Sequence, residues 1–203
     1  MRHGRLVFID KDGTLVENVP YNVEPALIRL TPGAERAIPR LTAAGFRLVI
    51  VSNQPGVALG HFPESALRRV KARLEVLLAG LGAELAGFYY CPHHPDGVLP
   101  EYAIRCGCRK PAPGLIERAA REMGVSASGA WLVGDILDDV EAGSRAGCTT
   151  ILLDNGNETE WVLTPQRRPD YIVRDLEEAA DFIVSAGVAA PDLAPRPVID
   201  ARR

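Results

Sequence analysis

Leu6-Val7-Phe8-Ile9-Asp10-Lys11-Asp12-Gly13-Thr14 stands near the start of the chain. Its first four residues are all apolar and partly β-branched, so they read as a short strand buried on both faces. Two carboxylates follow at once at the carboxyl end of that strand. The same pattern of an apolar run ending in polar residues recurs downstream. Arg47-Leu48-Val49-Ile50-Val51 leads into Ser52-Asn53-Gln54-Pro55-Gly56, and Trp131-Leu132-Val133 leads into Gly134-Asp135. Further strands are expected at Gly87–Tyr90, Thr149–Leu153 and Tyr171–Val173. Helices are expected between them, from Pro32 to Ala44, Pro63 to Leu81, Ala112 to Met123, Asp138 to Ala146 and Leu176 to Ala186. Thr31 is read as the N-cap of the first helix, with Pro32 at its first position. The second helix carries Leu67, Val70, Leu74, Leu77 and Leu78 at three- and four-residue spacing,. Helices alternating with strands that are apolar on both faces give an α/β fold, a parallel sheet covered by helices on both sides. In such a sheet, ligands bind outside the carboxyl ends of the strands, where these polar residues collect.

The chain has 203 residues, 47% of them hydrophobic and 24% charged, which suits one folded domain,. The domain is expected to span residues 1–190. Residues 191–203 hold three prolines and three arginines and read as a loosely docked tail,. No apolar run is long enough for a bilayer, and the apolar start is too short for a signal-peptide core. A cytoplasmic monomer is expected. A net charge of −3 without a basic stripe argues against nucleic acid and against an anionic membrane surface,.

Residues two apart in extended chain face the same side, so Asp10 and Asp12 are expected to point together into the crevice. Adjacent carboxylates repel, and either a bound cation or a proton relieves them. Both solutions serve phosphoryl transfer. Asp10 can ligate a divalent metal and attack phosphorus, while Asp12 holds the proton that the leaving oxygen needs. Asp135 adds an oxygen to the same ion, and an all-oxygen donor set suits Mg²⁺. Asp139 lies one helical turn further on and can support that shell. Asp138 is read as helix N-terminal stabilisation. Ser52, Asn53 and Gln54 can hold phosphoryl oxygens, and Lys110 can add positive charge. Taken alone, an Asp-Gly turn, a loop serine or a surface lysine is commonplace; the set, each member following its strand, is not.

Cys91-Pro92-His93 and Cys106-Gly107-Cys108 provide Cys-x-His and Cys-x-Cys pairs. A set of three thiolates and one imidazole is a closed structural zinc site, so zinc is expected to hold the loop 91–108 and to do no chemistry. His94 competes with His93, and the spacing favours His93. Cys148, the fourth cysteine, reads as a buried free thiol.

Asp10-Lys11-Asp12-Gly13-Thr14, Ser52-Asn53-Gln54, Lys110-Pro111 and Gly134-Asp135 with Asp139 resemble the four motifs of the haloacid dehalogenase superfamily. Within it the chain looks like the heptose-bisphosphate phosphatases, with the histidinol-phosphatases as neighbours. The likeness runs from about residue 6 to 184. It implies a Rossmann-like domain with no large cap, an aspartyl-phosphate on Asp10 and the main-chain carbonyl of Asp12 as an Mg²⁺ ligand. It also implies a small phosphorylated sugar as substrate, with removal of the C7 phosphate of a heptose 1,7-bisphosphate; histidinol phosphate or another small sugar phosphate is the alternative. Arg109 is then expected to grip a second phosphate, and Asn18, Val19, Pro20 and Tyr21 to line the opposite wall. Three positions depart from the family pattern. Lys11 replaces a usual arginine and is expected to point away from Asp10 and Asp12. Pro55 removes one N–H donor. Leu59 stands where a basic residue is common.

Overall fold

In the computed structural model, which describes residues 5–188, strand β1 (Leu6–Ile9) lies inside a six-stranded sheet. The other strands are β2 (Arg47–Asn53), β3 (Leu85–Cys91), β4 (Trp131–Gly134), β5 (Thr149–Leu153) and β6 (Tyr171–Val173). All pairs are parallel, and the order is β3-β2-β1-β4-β5-β6. Phe8 is paired with Val49 on one side and Leu132 on the other. The chain therefore runs outward to one edge from β1 and to the other edge from β4. The crevice at that reversal point opens beside Asp10 and Asp135.

Side chains alternate between the sheet's faces with a period of two. Val7, Ile9, Leu48, Ile50 and Val133 face a layer built by α1 (Ala34–Ala43), α2 (Leu67–Gly80) and α5 (Leu176–Val188). Leu6, Phe8, Val49, Val51 and Leu132 face α3 (Gly114–Glu122) and Ala142 of α4 (Leu137–Ala146). No β1 residue is more than 1% exposed. At about 1.5–3 kcal/mol for each large side chain removed from water, these two layers anchor the strand ends that carry the polar residues. The segment from β1 to α1 and that from β3 to α3 are loops, with one short 3₁₀ turn (Pro25–Leu27), and no separate cap domain forms among the described residues.

Helix α1 begins later than its sequence suggests. Its N-cap is Gly33, in the left-handed region at φ 86°, so Thr31 does not cap it and Pro32 is not its first residue. The Thr31 hydroxyl donates instead to the carbonyl of Thr14 at 2.6 Å, and Thr31 N–H donates to that of Leu15 at 3.0 Å. These bonds fold the segment after Asp12 back on itself and make it a wall of the crevice. The expected tail, 191–203, lies outside the described residues. Among the described residues no helix is long and apolar enough to cross a membrane.

Candidate active site

The Asn53 side chain, at the end of β2, grips the main chain of Lys110 at two points. Its carbonyl accepts from Lys110 N–H at 3.0 Å, and its amide donates to the Lys110 carbonyl at 3.0 Å. Each polar atom of Asn53 makes one bond to Lys110, which leaves its second amide N–H for another partner,. The clamp aims the Lys110 ammonium under the sheet's carboxyl edge. There it donates to Asp10 and to the Val51 carbonyl at 3.0 Å, and lies 2.5 Å from Asp139. Asp139 is in the first turn of α4, wholly buried, with Gly134 beside it; a Cβ on Gly134 would come within 2.3 Å of the Asp139 Cβ.

Asp10, Asp135 and Asp139 bring carboxylate oxygens within 4.8 Å of one another. With Lys110, the fully ionised cluster carries two negative charges in a buried space. Burial, then Asp10, pushes Asp135 up to about 6. Burial, with Asp10 and Asp135 adding to it, outweighs the pull of Lys110 and lifts Asp139 to about 8. Burial works against the charge on Lys110, but Asp10 and Asp139 outweigh it and hold the ammonium above its ordinary range. A hard divalent cation would neutralise the excess charge and suits these oxygen donors.

Asp12 sits at the mouth. Its carboxylate accepts from Gln54 at 3.1 Å and from Lys11 at 2.9 Å. Burial raises its pKa against the pull of Lys11, and the neighbouring Asp10 adds to the rise. The contact with Lys11 corrects the expectation that this lysine points away. Strand alternation ends at Asp10, where the chain turns, so Lys11 folds inward, only 2% exposed, against Asp12. Ser52 is buried, and its hydroxyl accepts from Gln54 at 2.8 Å.

A cleft of about 240 Å³ opens beside Asp12, lined by Lys11, Asp12, residues 18–22 and residues 53–56. The structure thus gathers Asn18, Val19, Pro20, Tyr21, Asn53 and Gln54 around one space. Ser52, Arg109 and Lys110 are not part of its lining. Arg109 turns toward the cysteine loop, its guanidinium 3.5 Å from the His93 carbonyl.

In that loop, Cys91, His93, Cys106 and Cys108 converge. The Cys91 sulfur lies 3.5 Å from that of Cys106 and 3.2 Å from that of Cys108, and His93 Nδ1 is 3.6 Å from Cys91 and 3.4 Å from Cys108. Tetrahedral zinc with bonds near 2.3 Å spaces its ligands roughly 3.5–3.8 Å apart, and the four atoms lie at that spacing or up to about 0.3 Å inside it, converging on a site for one ion,. No disulfide links them. His94 faces away, its Nδ1 accepting from Asp96 N–H at 3.2 Å. Glu64 ties the loop down, accepting from Tyr90 at 3.0 Å and Tyr102 at 2.8 Å. Cys148 is buried apart from the cluster, and burial raises its thiol to about 12.

Sequence reasoning missed Thr14, Asn155 and Asn157. Thr14 donates to one Asp135 oxygen at 2.9 Å and Asn157 to the other at 2.7 Å, while Asn155 donates to the Gly13 carbonyl at 2.8 Å. The signal was available, because Asn155-Gly156-Asn157 follows β5 closely at the same sheet edge as the other polar residues.

Comparison with known proteins shows the family to which this arrangement belongs. A HAD-hydrolase-like family model matches residues 107–179. The D-glycero-beta-D-manno-heptose-1,7-bisphosphate 7-phosphatase of Pasteurella multocida is 37% identical over 181 residues, covering 88% of this chain and 96% of that protein. The Yersinia pestis protein of the same name is 36% identical over 166 residues, covering 77% and 88%. Among solved structures, the D,D-heptose 1,7-bisphosphate phosphatase of B. bronchiseptica, in complex with magnesium and phosphate, aligns with a TM-score of 0.76 at 31% identity, covering 89% of this chain and 98% of that one. On sequence, fold and site together, the chain belongs to the haloacid-dehalogenase-like phosphatases, in the branch that holds the heptose-bisphosphate 7-phosphatases.

Proposed function

We propose that this phosphatase removes the C7 phosphate of D-glycero-D-manno-heptose 1,7-bisphosphate through an aspartyl-phosphate on Asp10. The observation that supports it most is the buried cluster of Asp10, Lys110, Asp135 and Asp139 beside a cleft whose mouth carries Asp12. Asp10, Asp135 and the main-chain carbonyl of Asp12 would hold Mg²⁺. The ion supplies charge neutralisation for the transferring phosphoryl group and lets its oxygens approach three carboxylates.

Asp10 attacks phosphorus in line, the P–O bond to the sugar breaks, and the leaving oxygen takes the proton of Asp12. That proton is favoured by the burial of Asp12. Asp12 then accepts a proton from the water that hydrolyses the acyl phosphate, which restores both carboxyls. Lys110 and Ser52 spread the phosphoryl charge, and Gln54 orients Asp12 and Ser52 together,. Asn53 positions Lys110 through its main chain. Zinc on Cys91, His93, Cys106 and Cys108 would fix the loop that presents Arg109. Residues 18–21 hold the sugar.

One observation favours the histidinol-phosphate reading. Lys11 is the single cation in the cleft's lining, and it is paired with Asp12. A second phosphate in that space therefore depends on Arg109 swinging from the His93 carbonyl. Steady-state kcat/KM for both anomers of the heptose bisphosphate and for histidinol phosphate decides between them. The bisphosphate is expected to lead, and a preference for histidinol phosphate would replace this reading with the alternative.

A further inference from the structure

The segment after β5 makes three contacts around the carboxylate cluster, one of them to a carboxylate itself. Asn155 donates to the Gly13 carbonyl at 2.8 Å, Asn157 donates to Asp135 at 2.7 Å, and Glu158 accepts from the N–H of Leu137, the first residue of α4, at 2.6 Å. The segment also braces itself, since Asn157 N–H donates to the Asn155 side chain at 3.2 Å and Glu160 N–H to Glu158 at 2.8 Å. Residue 13 is part of the fit. A Cβ there would lie 2.2 Å from Asp135 Oδ2 and 2.5 Å from Asn157 Nδ2, so the two side chains meet in space that only glycine leaves free,.

Asp135 has two oxygens, and each has one side-chain donor. Thr14 holds Oδ1 from the β1 side, and Asn157 holds Oδ2 from the β5 side. With both donors in place the carboxylate plane is fixed before any ion arrives. Each oxygen of a carboxylate can still accept a further partner, so these bonds are compatible with metal ligation. Partners that hold a metal-ligating carboxylate set its orientation, and their loss commonly costs about 10–100-fold in metal affinity.

We propose that Asn157 is a positioning residue for Asp135, and that the segment 155–158 thereby sets the affinity of the carboxylate cluster for Mg²⁺. This rests on the reading of Asp10 and Asp135 as Mg²⁺ ligands. The test is calorimetric titration of Mg²⁺ into the purified, zinc-loaded protein, with the thermal midpoint measured on the metal-free form. Asn157→Ala is expected to raise the Mg²⁺ Kd about 10–100-fold and to lower kcat little at saturating Mg²⁺. Asn155→Ala, which loses the bond to Gly13 and the brace on Asn157 N–H but no contact with Asp135, is the control for loop anchoring. It is expected to lower the midpoint while leaving the Kd within about threefold of wild type, which is well short of the loss from an outer-shell partner. Asn157→Ser, too short to reach Asp135, is read in the same way if the alanine variant does not fold.

If both asparagine variants lower the midpoint and neither changes the Kd, Asn157 is only an anchor and the inference is overturned. Asp135→Ala separates the two levels. Wild-type Mg²⁺ affinity in Asp135→Ala overturns the metal reading, and this inference with it. Lost binding in Asp135→Ala with an unchanged Kd in Asn157→Ala overturns this inference alone.

Discussion

Lys110→Met removes one charge and keeps most of the side chain's length and volume. In wild type that ammonium is 2% exposed and contacts Asp10, Asp139 and the Val51 carbonyl. Without it, three carboxylates share a buried space with no counter-charge. Breaking a buried pair by removing one partner costs about 3–5 kcal/mol, because the other charge is left uncompensated. For a domain of this size 1 kcal/mol moves the thermal midpoint about 2–4 °C, so the metal-free variant is expected to melt roughly 6–20 °C lower. Acid should relieve the loss, because Asp139 already favours its proton and can take one up; the deficit is expected to be smaller at pH 5 than at pH 8. Turnover at saturating Mg²⁺ should fall about 10²–10³-fold, as for the loss of one strong donor to the transition state. The assay is differential scanning calorimetry with and without Mg²⁺ at both pH values, with aryl phosphate hydrolysis alongside. A metal-free midpoint within a degree or two of wild type, with normal turnover, would refute the assignment of this lysine as counter-charge and catalyst.

Asp10→Asn keeps the shape and removes the attacking charge, so kcat should drop at least about 10³-fold, measured on an aryl phosphate. In metal-free protein Asp135 and Asp139 hold protons more tightly when folded than when unfolded. Their contribution to stability is therefore present below the ordinary carboxylate range and is lost as pH rises through about 6 and about 8,. Mg²⁺ prefers the ionised carboxylates, so the Mg²⁺-induced shift in thermal midpoint should be larger at pH 8 than at pH 5; the reverse order would count against the cluster as the metal site. Elemental analysis should find about one zinc per chain in wild type and none in Cys106→Ala or Cys108→Ala, with protease cutting of the loop 91–108 as the readout of loosening. Arg109→Ala should lower kcat/KM about 10–100-fold for the bisphosphate and spare a small aryl phosphate, since a charge-assisted bidentate contact is what it would lose; equal losses on both would give the arginine a part in the shared transition state.

The sheet was legible because its strands are apolar on both faces and each ends abruptly in polar residues. That rule puts Asp10, Ser52 and Asp135 at one edge before any coordinates are known, and the cysteine spacing does the same for the four zinc-loop ligands. It was less reliable past the strand ends. Lys11 was placed by continuing strand alternation one residue beyond Ile9 and Asp10, where the chain has already turned. Thr31 has the chemistry of a helix cap, but its hydroxyl is taken by the Thr14 carbonyl, a partner 17 residues away that only the folded loop supplies. Thr14 and Asn157 meet on Asp135 from separations of 121 and 22 residues, and local pattern carries no record of that meeting. Asn53 has a residue type suited to phosphate binding, and its clamp on the Lys110 main chain is a second use that depends on a contact 57 residues away.

The most direct test follows the phosphorus atoms themselves. Phosphorus-31 NMR of D-glycero-D-manno-heptose 1,7-bisphosphate, with Mg²⁺ and zinc-loaded protein, should show the C7 resonance replaced by inorganic phosphate while the C1 resonance stays. The Asp10→Asn variant and the chelated enzyme should leave both resonances in place. Release of the C1 phosphate, or C7 release that persists without Asp10, would contradict the proposed reaction.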